Sequence, residues 1–165
     1  MADDPLVALA GQLQAICVPR GITVGTAESC TGGLIAHVLT EVPGASAYFA
    51  GGIISYSNGI KERDLGVPAE ILARHGAVSA QTARAMATGV RLRLGVDLAV
   101  SVTGIAGPTG GSDEKPVGLT YIGVADGEGV DVRRYVWTGN RTANKRSSAE
   151  AALTLLLERL GDEHT

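Results

Sequence analysis

The chain is organised around the segment Thr26-Ala27-Glu28-Ser29-Cys30-Thr31-Gly32-Gly33 (residues 26–33). An apolar, β-branched run from Ile22 to Val24 leads into it, and an amphipathic pattern that begins at Leu34 and Ile35 leads out. This order predicts a strand, a sharp turn and a helix. The turn would hold a hydroxyl, a thiol and the unpaired N–H groups of a helix N-terminus, which attract anions. The segment therefore indicates a nucleophile beside a phosphate or oxyanion site, or else an ordinary helix cap.

The composition is that of a single globular domain, which we expect to cover residues 1–165. The chain is 45% hydrophobic and 19% charged, with 23 glycines and a net charge of -3. This balance and the lack of a basic run argue against nucleic acid as a partner. No apolar run reaches the length of a membrane span, and the start Met1-Ala2-Asp3-Asp4 is too acidic for a signal peptide. The two cysteines, Cys17 and Cys30, form no C-x-x-C motif, so we expect a cytoplasmic protein.

Helical and strand patterns alternate along the rest of the chain. Helices are predicted over 6–18, from the opening turn to about 42, from after the turn at 57–61 to about 65, over 69–75, from 80 to about 94, and over 141–160. Strands are predicted over 22–28, 48–56, 97–103, 117–125 and 130–137, the last two joined by a hairpin turn. The pattern predicts a three-layer α/β/α sandwich. Its sheet is mixed and mostly parallel, and ends in an antiparallel hairpin.

Three predicted strand ends carry polar or glycine-rich sequence. They follow Glu28, Tyr56 and Thr103. Ligands of α/β sheets gather beyond the carboxyl ends of the strands, so the three ends converge if they face the same way. The residues brought together would be Ser29, Cys30, Thr31, Tyr56, Ser57, Asn58, Lys61, Thr103 and the loop 107–111.

A serine nucleophile needs a base, and the histidines are poorly placed for that role. His37 falls inside a predicted helix, His75 at a helix end and His164 in the C-terminal tail. Lys61 is the better candidate, because a lysine beside an apolar wall can lose its proton near neutral pH. The alternative is a solvated surface lysine. No His, Asp and Glu cluster has metal-ligand spacing, so no metal is expected.

Other residues have both a chemical and a structural interpretation. Cys30 is a rival nucleophile at a helix N-terminus or a small packing residue. Tyr56 could assist proton transfer, hold the lysine, or be a half-buried aromatic. Glu28 could orient a lysine or a substrate amine, or simply end a strand. Arg141 could bind a phosphate through two parallel N–H groups of its guanidinium. Backbone N–H groups of the glycine loop could surround the same anion. The loop glycines concerned are Gly107, Gly110 and Gly111.

Five motifs in order resemble the CinA C-terminal domain family, the nicotinamide-nucleotide amidohydrolases or NMN deamidases. They are Ala27-Glu28-Ser29-Cys30-Thr31-Gly32-Gly33, Tyr56-Ser57-Asn58 with Lys61, Gly76-Ala77-Val78-Ser79, Gly104-Ile105-Ala106-Gly107-Pro108, and Glu114-Lys115-Pro116-Val117-Gly118. The resemblance covers nearly the whole chain, from about Leu6 to Leu160. It is to the stand-alone form, without the additional N-terminal domain that many members carry.

The resemblance implies a bacterial cytoplasmic enzyme that converts nicotinamide mononucleotide to nicotinate mononucleotide and ammonia. It makes Ser29 the nucleophile and Lys61 its partner, with Tyr56 nearby. It also implies no metal or cofactor and a homo-oligomer. The expected substrate-binding set is Glu28, Cys30, Thr31, Gly32, Gly33, Asn58, Thr103, Gly107, Gly110, Gly111 and Arg141.

Two alternatives stay open. One is a nucleotide-binding or regulatory module of the competence/damage-inducible CinA type, without turnover. The other is catalysis by Cys30. For the serine mechanism, we expect backbone N–H groups after Ser29 to hold the oxyanion, and the glycine loop with Arg141 to hold the substrate phosphate.

Overall fold

A computed structural model describes residues 3–162, in which helices surround a five-stranded sheet. In chain order the elements are α1 (Pro5–Arg20), β1 (Val24–Glu28), α2 (Leu34–Thr40), a 3-10 turn (Ala45–Ala47), β2 (Phe49–Ile54), α3 (Asn58–Leu65), α4 (Ala69–His75), α5 (Ala80–Leu94), β3 (Leu98–Gly104), β4 (Leu119–Ala125), β5 (Val130–Val136) and α6 (Arg141–Asp162).

The strands lie in the order β2-β1-β3-β4-β5. β1 pairs in parallel with β2 on one side and with β3 on the other. β4 runs antiparallel to both β3 and β5, so four of the five strands point the same way. The predicted mixed sheet with a terminal hairpin is confirmed. The third strand lies at the centre of the sheet, and the second and fifth strands form its edges.

Helices cover both faces of the sheet, which confirms the three-layer sandwich. On one face, α1, α2 and α6 bury the larger apolar core, which includes Leu13, Ile35 and Leu153 against Val100. On the other face, α5 with α3 and α4 buries a smaller core around Met86. At about 25 cal/mol per Å² of apolar surface, this two-sided burial is the main stabilising term of the fold.

The small side chains of α5 let it approach the sheet closely. The hydroxyl of Ser101 on β3 donates to the carbonyl of Ala83 at 2.6 Å. A side chain at Gly123 on β4 would stand 2.9 Å from that same carbonyl. The small residues on this face of α5 therefore form a contact surface for the sheet.

Several element boundaries differ from the sequence predictions. Residues 58–61, predicted as a turn, form the first turn of α3, because the Ser57 hydroxyl accepts the Ile60 N–H and caps the helix. The first helix extends to Arg20 and ends at Gly21, which has a φ of 65°. The second strand ends at Ile54, so Tyr56 lies beyond it.

Candidate active site

Two buried side chains meet where β1 and β2 end. Ser29 directly follows β1, and Lys61 lies in the first turn of α3. Lys61 Nζ is 3.1 Å from Ser29 Oγ, a hydrogen-bond distance. Lys61 is 1% exposed and Ser29 is 7% exposed. The surface interpretation of Lys61 is therefore wrong, and this pair is the chemical centre of the site.

The other neighbours of the Lys61 amine are backbone carbonyls. Nζ donates to the carbonyl of Ser55 at 2.8 Å and to that of Tyr56 at 3.2 Å. A neutral amine has two N–H groups and one lone pair, so the carbonyls can take both hydrogens while the lone pair faces Ser29. Burial lowers the pKa of Lys61, and no carboxylate in residues 3–162 pairs with it. The environment thus favours the form that can accept a proton.

Glu28 occupies the N-terminus of α2. Its Oε1 accepts the Thr31 hydroxyl at 2.7 Å and the Ile35 N–H at 2.9 Å, and its Oε2 accepts the Ala36 N–H at 3.0 Å. The carboxylate is 1% exposed. The expectation that the first N–H groups of α2 are open to a phosphate is therefore wrong, because a carboxylate of the chain itself already accepts from them.

The turn after Ser29 still offers backbone donors. The Ser29 N–H donates to the carbonyl of Val102, and the Gly32 N–H to that of Ser29. Within the described chain, the N–H groups of Cys30 and Thr31 donate to no carbonyl or carboxylate. These two groups directly follow the candidate nucleophile, which is where an oxyanion hole is required.

A cavity of about 330 Å³ opens beside the Ser29–Lys61 pair. The ends of the parallel strands β1, β2 and β3 meet at its edge, as the convergence hypothesis requires. Its walls are Ser29, Cys30, Tyr56, Lys61, Ala77, Val78, Thr103, Gly104, Ile105, Ala106, Gly107, Thr109, Gly110 and Arg141. The catalytic trio predicted from the sequence and five of its predicted binding residues thus share one cavity.

The remaining predicted binding residues lie outside these walls. They are Glu28, Thr31, Gly32, Gly33, Asn58 and Gly111. Glu28 and Thr31 bond to each other, and Asn58 is an exposed residue at the start of α3. A Cβ at Gly111 would lie 2.7 Å from the backbone nitrogen of Val117, so Gly111 allows the loop to fold back on itself.

Arg141 and Tyr56 meet at the cavity. Arg141 Nη1 donates to the carbonyl of Gly107 at 2.8 Å, and Nη2 donates to the Tyr56 hydroxyl at 3.3 Å. Tyr56 is 63% exposed, so it is not the half-buried aromatic that was one sequence interpretation. Its contact with Lys61 runs through its backbone carbonyl. Arg141 keeps further N–H groups available for an anion.

Sequence reasoning missed three groups that build the site. Ser55 holds Lys61 through its carbonyl, and no sequence signal marks a backbone contact. Ala77 and Val78 form a wall, fixed because Thr103 Oγ1 donates to the carbonyl of Ala77 at 2.8 Å. The motif that contains them (residues 76–79) contributes to the family resemblance, but the sequence alone assigns it no role in the site. Asn144 ties the loop after β3 to α6 by donating to the carbonyl of Ala106 at 3.0 Å.

Cys30 lines the same cavity but is poorly suited to attack. Burial raises the pKa of the Cys30 thiol to about 12, and the nearby Glu28 carboxylate acts in the same direction. The thiolate is the nucleophilic form, so a raised pKa keeps this thiol protonated and weakly nucleophilic at neutral pH. The geometry favours Ser29 over the rival cysteine.

The two histidines within residues 3–162, His37 and His75, do not line this cavity. His37 faces Glu41 at 3.7 Å on α2, and the carbonyl of His75 accepts the Lys115 amine. His164 lies outside the described residues. Within residues 3–162, no three His, Cys, Asp or Glu side chains come together in a metal-binding group.

A larger groove of about 580 Å³ lies elsewhere, between α4, α5 and the end of α3. Its walls are mainly apolar, with Leu65, Ile71 and Leu92 among them. It contains no pair of a nucleophile and a base. The smaller cavity at Ser29 is therefore the candidate active site.

The fold and the site together define a class: a mixed α/β/α domain with a buried serine–lysine pair at the carboxyl ends of its parallel strands. The family model of the CinA C-terminal domain matches residues 7–160, and the chain belongs to this family. The resemblance to the CinA C-terminal domain, inferred from the motifs, is confirmed. Among residues 3–162, no helix is both long and apolar enough to cross a membrane.

Named relatives and solved structures agree with this assignment. A CinA-like protein of Geobacter sulfurreducens is 55% identical over 141 residues, which are 86% of this chain and 34% of the relative. The chain spans about a third of the length of the curated relatives it matches. The crystal structure of competence/damage inducible protein CihA from Agrobacterium tumefaciens is 43% identical with a TM-score of 0.89, covering 94% of this chain and 95% of that one. A CinA superfamily protein from Klebsiella pneumoniae is 31% identical with a TM-score of 0.92, covering 96% and 99%.

Proposed function

We propose that this domain is an amidohydrolase that converts nicotinamide mononucleotide to nicotinate mononucleotide and ammonia through an acyl-enzyme on Ser29. The observation that carries the proposal is the 3.1 Å contact between the buried Lys61 amine and the Ser29 hydroxyl. A buried lysine without a carboxylate partner is costly for a fold. A catalytic role as a neutral base gives a reason for it.

In the acylation step, the neutral Lys61 amine takes the Ser29 proton as Oγ attacks the carboxamide carbon. The N–H groups of Cys30 and Thr31 would hold the resulting oxyanion. Collapse of this intermediate breaks the C–N bond, and the Lys61 ammonium returns its proton to the leaving nitrogen. Ammonia departs and an ester joins the substrate acyl group to Ser29.

Deacylation repeats the same proton movements with water. Lys61 removes a proton from water as the oxygen attacks the ester carbon, and then returns that proton to Ser29 Oγ. The products are the carboxylic acid and the free serine, so one water is consumed for each ammonia released. This lysine replaces the histidine of serine–histidine hydrolases.

The charges around the cavity support a substrate that carries an anionic group. Arg141 lies on its wall and no carboxylate does. An arginine suits a phosphate, because it offers two parallel N–H groups to two oxygens. Tyr56 supplies an aromatic ring among the wall residues, a surface that a cationic pyridinium favours. The choice of nicotinamide mononucleotide itself comes from the family resemblance.

The test is ammonia release from nicotinamide mononucleotide, measured together with formation of the nicotinate product. Wild type should release one ammonia per product. Ser29→Ala and Lys61→Met should each lose at least about 10²–10⁴-fold in kcat, the range for removal of a positioned proton-transfer group. Ser46→Ala, an exposed serine away from the cavity, is the matched control and should retain full activity.

Two outcomes would contradict the proposal. Full turnover by folded Ser29→Ala would exclude the acyl-enzyme. Calorimetric binding of the nucleotide without turnover by wild type would favour the regulatory or nucleotide-binding alternative. The proposal also includes a cytoplasmic location and a homo-oligomeric state. Sedimentation at several protein concentrations would test the oligomeric state.

A further inference from the structure

We propose that Glu28 is a positioning residue that holds Ser29 and Lys61 in their mutual geometry without contacting the substrate. The inference rests on the proposed function only for the reaction that the pair performs. It replaces the expectation from the sequence that Glu28 binds substrate. Two independent sets of contacts carry it, one at the carboxylate and one at the backbone carbonyl.

The carboxylate fixes the turn that follows it. Three donors point at its two oxygens: the Thr31 hydroxyl and the N–H groups of Ile35 and Ala36. The Leu34 N–H donates to the carbonyl of Thr31, so the start of α2 is fully bonded. Charge-assisted hydrogen bonds of this kind are stronger and more directional than neutral ones. They hold the turn so that the N–H groups of Cys30 and Thr31 remain beside Ser29.

The backbone of Glu28 reaches the other member of the pair. Its carbonyl accepts the Ser55 N–H at 2.7 Å and the Ser55 hydroxyl at 3.3 Å. The Ser55 carbonyl in turn accepts the Lys61 amine at 2.8 Å. Glu28 therefore precedes Ser29 directly in the chain. It is linked to Lys61 by hydrogen bonds through a single intervening residue, Ser55.

The negative charge of Glu28 is balanced by α2 and not by the lysine. All three donors to the carboxylate, one hydroxyl and two backbone N–H groups, belong to the turn or to α2, and none is Lys61. This arrangement separates the roles of the two residues. Loss of the charge should disturb geometry and leave the protonation of the lysine as it is.

The experiment measures the reactivity of Ser29 in the full chain with a fluorophosphonate, a reagent that phosphonylates nucleophilic serines without a natural substrate. Glu28→Gln replaces one oxygen by an NH2 group, which faces donors and cannot accept from them. We expect the labelling rate constant to fall about 10- to 100-fold, with an unchanged midpoint in its pH profile. With the amide substrate, kcat should fall by a similar factor and KM should change less than twofold.

A second pair of variants keeps the test independent of the folding of Glu28→Gln. Thr31→Val removes the hydroxyl donor at nearly constant shape, and Thr31→Ser keeps it. We expect slower labelling of Thr31→Val and near wild-type labelling of Thr31→Ser. The control is Asp126→Asn, which alters another carboxylate, 8% exposed and paired with Arg159 in the β4–β5 turn. It should lower the melting temperature without changing the labelling rate.

Unchanged labelling in both Glu28→Gln and Thr31→Val would overturn the inference. A raised KM with unchanged kcat would identify Glu28 as a substrate contact, and a shifted pH midpoint would identify it as an electrostatic partner of Lys61. Wild type that is labelled but hydrolyses no amide would refute the proposed function alone, and labelling would still decide the inference. Wild type that reacts with neither reagent would refute both.

Discussion

The substitution Lys61→Met should change how the stability of this protein depends on pH. Lys61 is 1% exposed, and its burial lowers its pKa from the ordinary value of 10.5. Methionine fills a similar volume without a titratable group. Comparison of the two proteins therefore isolates the proton of one buried amine, while every other ionisable group is common to both.

The sign follows from proton linkage. Between the lowered native pKa and 10.5, the unfolded chain binds a proton at Lys61 that the native chain does not. The free energy of unfolding of wild type therefore rises with pH across this window, by up to about 1.4 kcal/mol per pH unit. The variant lacks this rise. Near pH 10 the variant should be the less stable protein by about 1–3 kcal/mol, because carbonyls of Ser55 and Tyr56 lose their buried donor.

Urea unfolding at pH 7, 8, 9 and 10, followed by far-ultraviolet circular dichroism, measures this difference. The quantity of interest is the wild-type free energy of unfolding minus that of Lys61→Met. It should increase with pH and level off above 10.5. A difference that stays constant from pH 7 to pH 10 would mean that Lys61 keeps an ordinary pKa in the native protein, and would refute the argument for a neutral base.

Four further predictions concern single positions. Cys30→Ala should keep kcat/KM within about threefold, because a thiol with a pKa of about 12 is protonated at neutral pH. Arg141→Gln should raise KM for the phosphorylated substrate about 10- to 100-fold with little change in kcat, since a hydrogen bond to a charged group contributes about 1.5–3 kcal/mol. Gly89→Ala should destabilise the fold by about 2–3 kcal/mol, because its Cβ would overlap the carbonyl of Leu65 at 1.8 Å. Gly11→Ala should instead stabilise it by about 0.5–1 kcal/mol, because nothing lies within 4 Å and the position is helical.

Steady-state kinetics and urea unfolding decide these cases. Loss of turnover in a folded Cys30→Ala protein would revive the cysteine nucleophile. An equal rise in KM for the phosphate-free nucleoside in Arg141→Gln would argue against phosphate recognition. Equal stabilities of the two glycine variants would contradict the close contact between α3 and α5.

The architecture could be predicted from local pattern to a large extent. The largely apolar run of β3 predicts a strand covered on both faces, because burial on two faces requires nearly continuous apolar sequence. The apolar stripe of α6 predicts a helix that packs against the sheet. The boundary near residue 58 could not be read in the same way. Whether Ser57 caps a helix or belongs to a turn depends on backbone angles that a short polar segment does not specify.

In the candidate site, too, the sequence predicts the residues but not how they come together. Ser29 and Lys61 could be singled out by residue type and motif, but they are 32 positions apart, and only the pairing of β1 with β2 brings the two segments together.

Residue types and their spacings along the chain were enough to predict the alternation of elements, the family and the candidate nucleophile. Tertiary packing places Lys61 against Ser29, puts the Glu28 carboxylate at the N-terminus of α2, and buries Cys30 so that the pKa of its thiol rises. Burial and hydrogen-bond partners decide those properties, and both come from residues distant in sequence or from backbone groups that every residue shares.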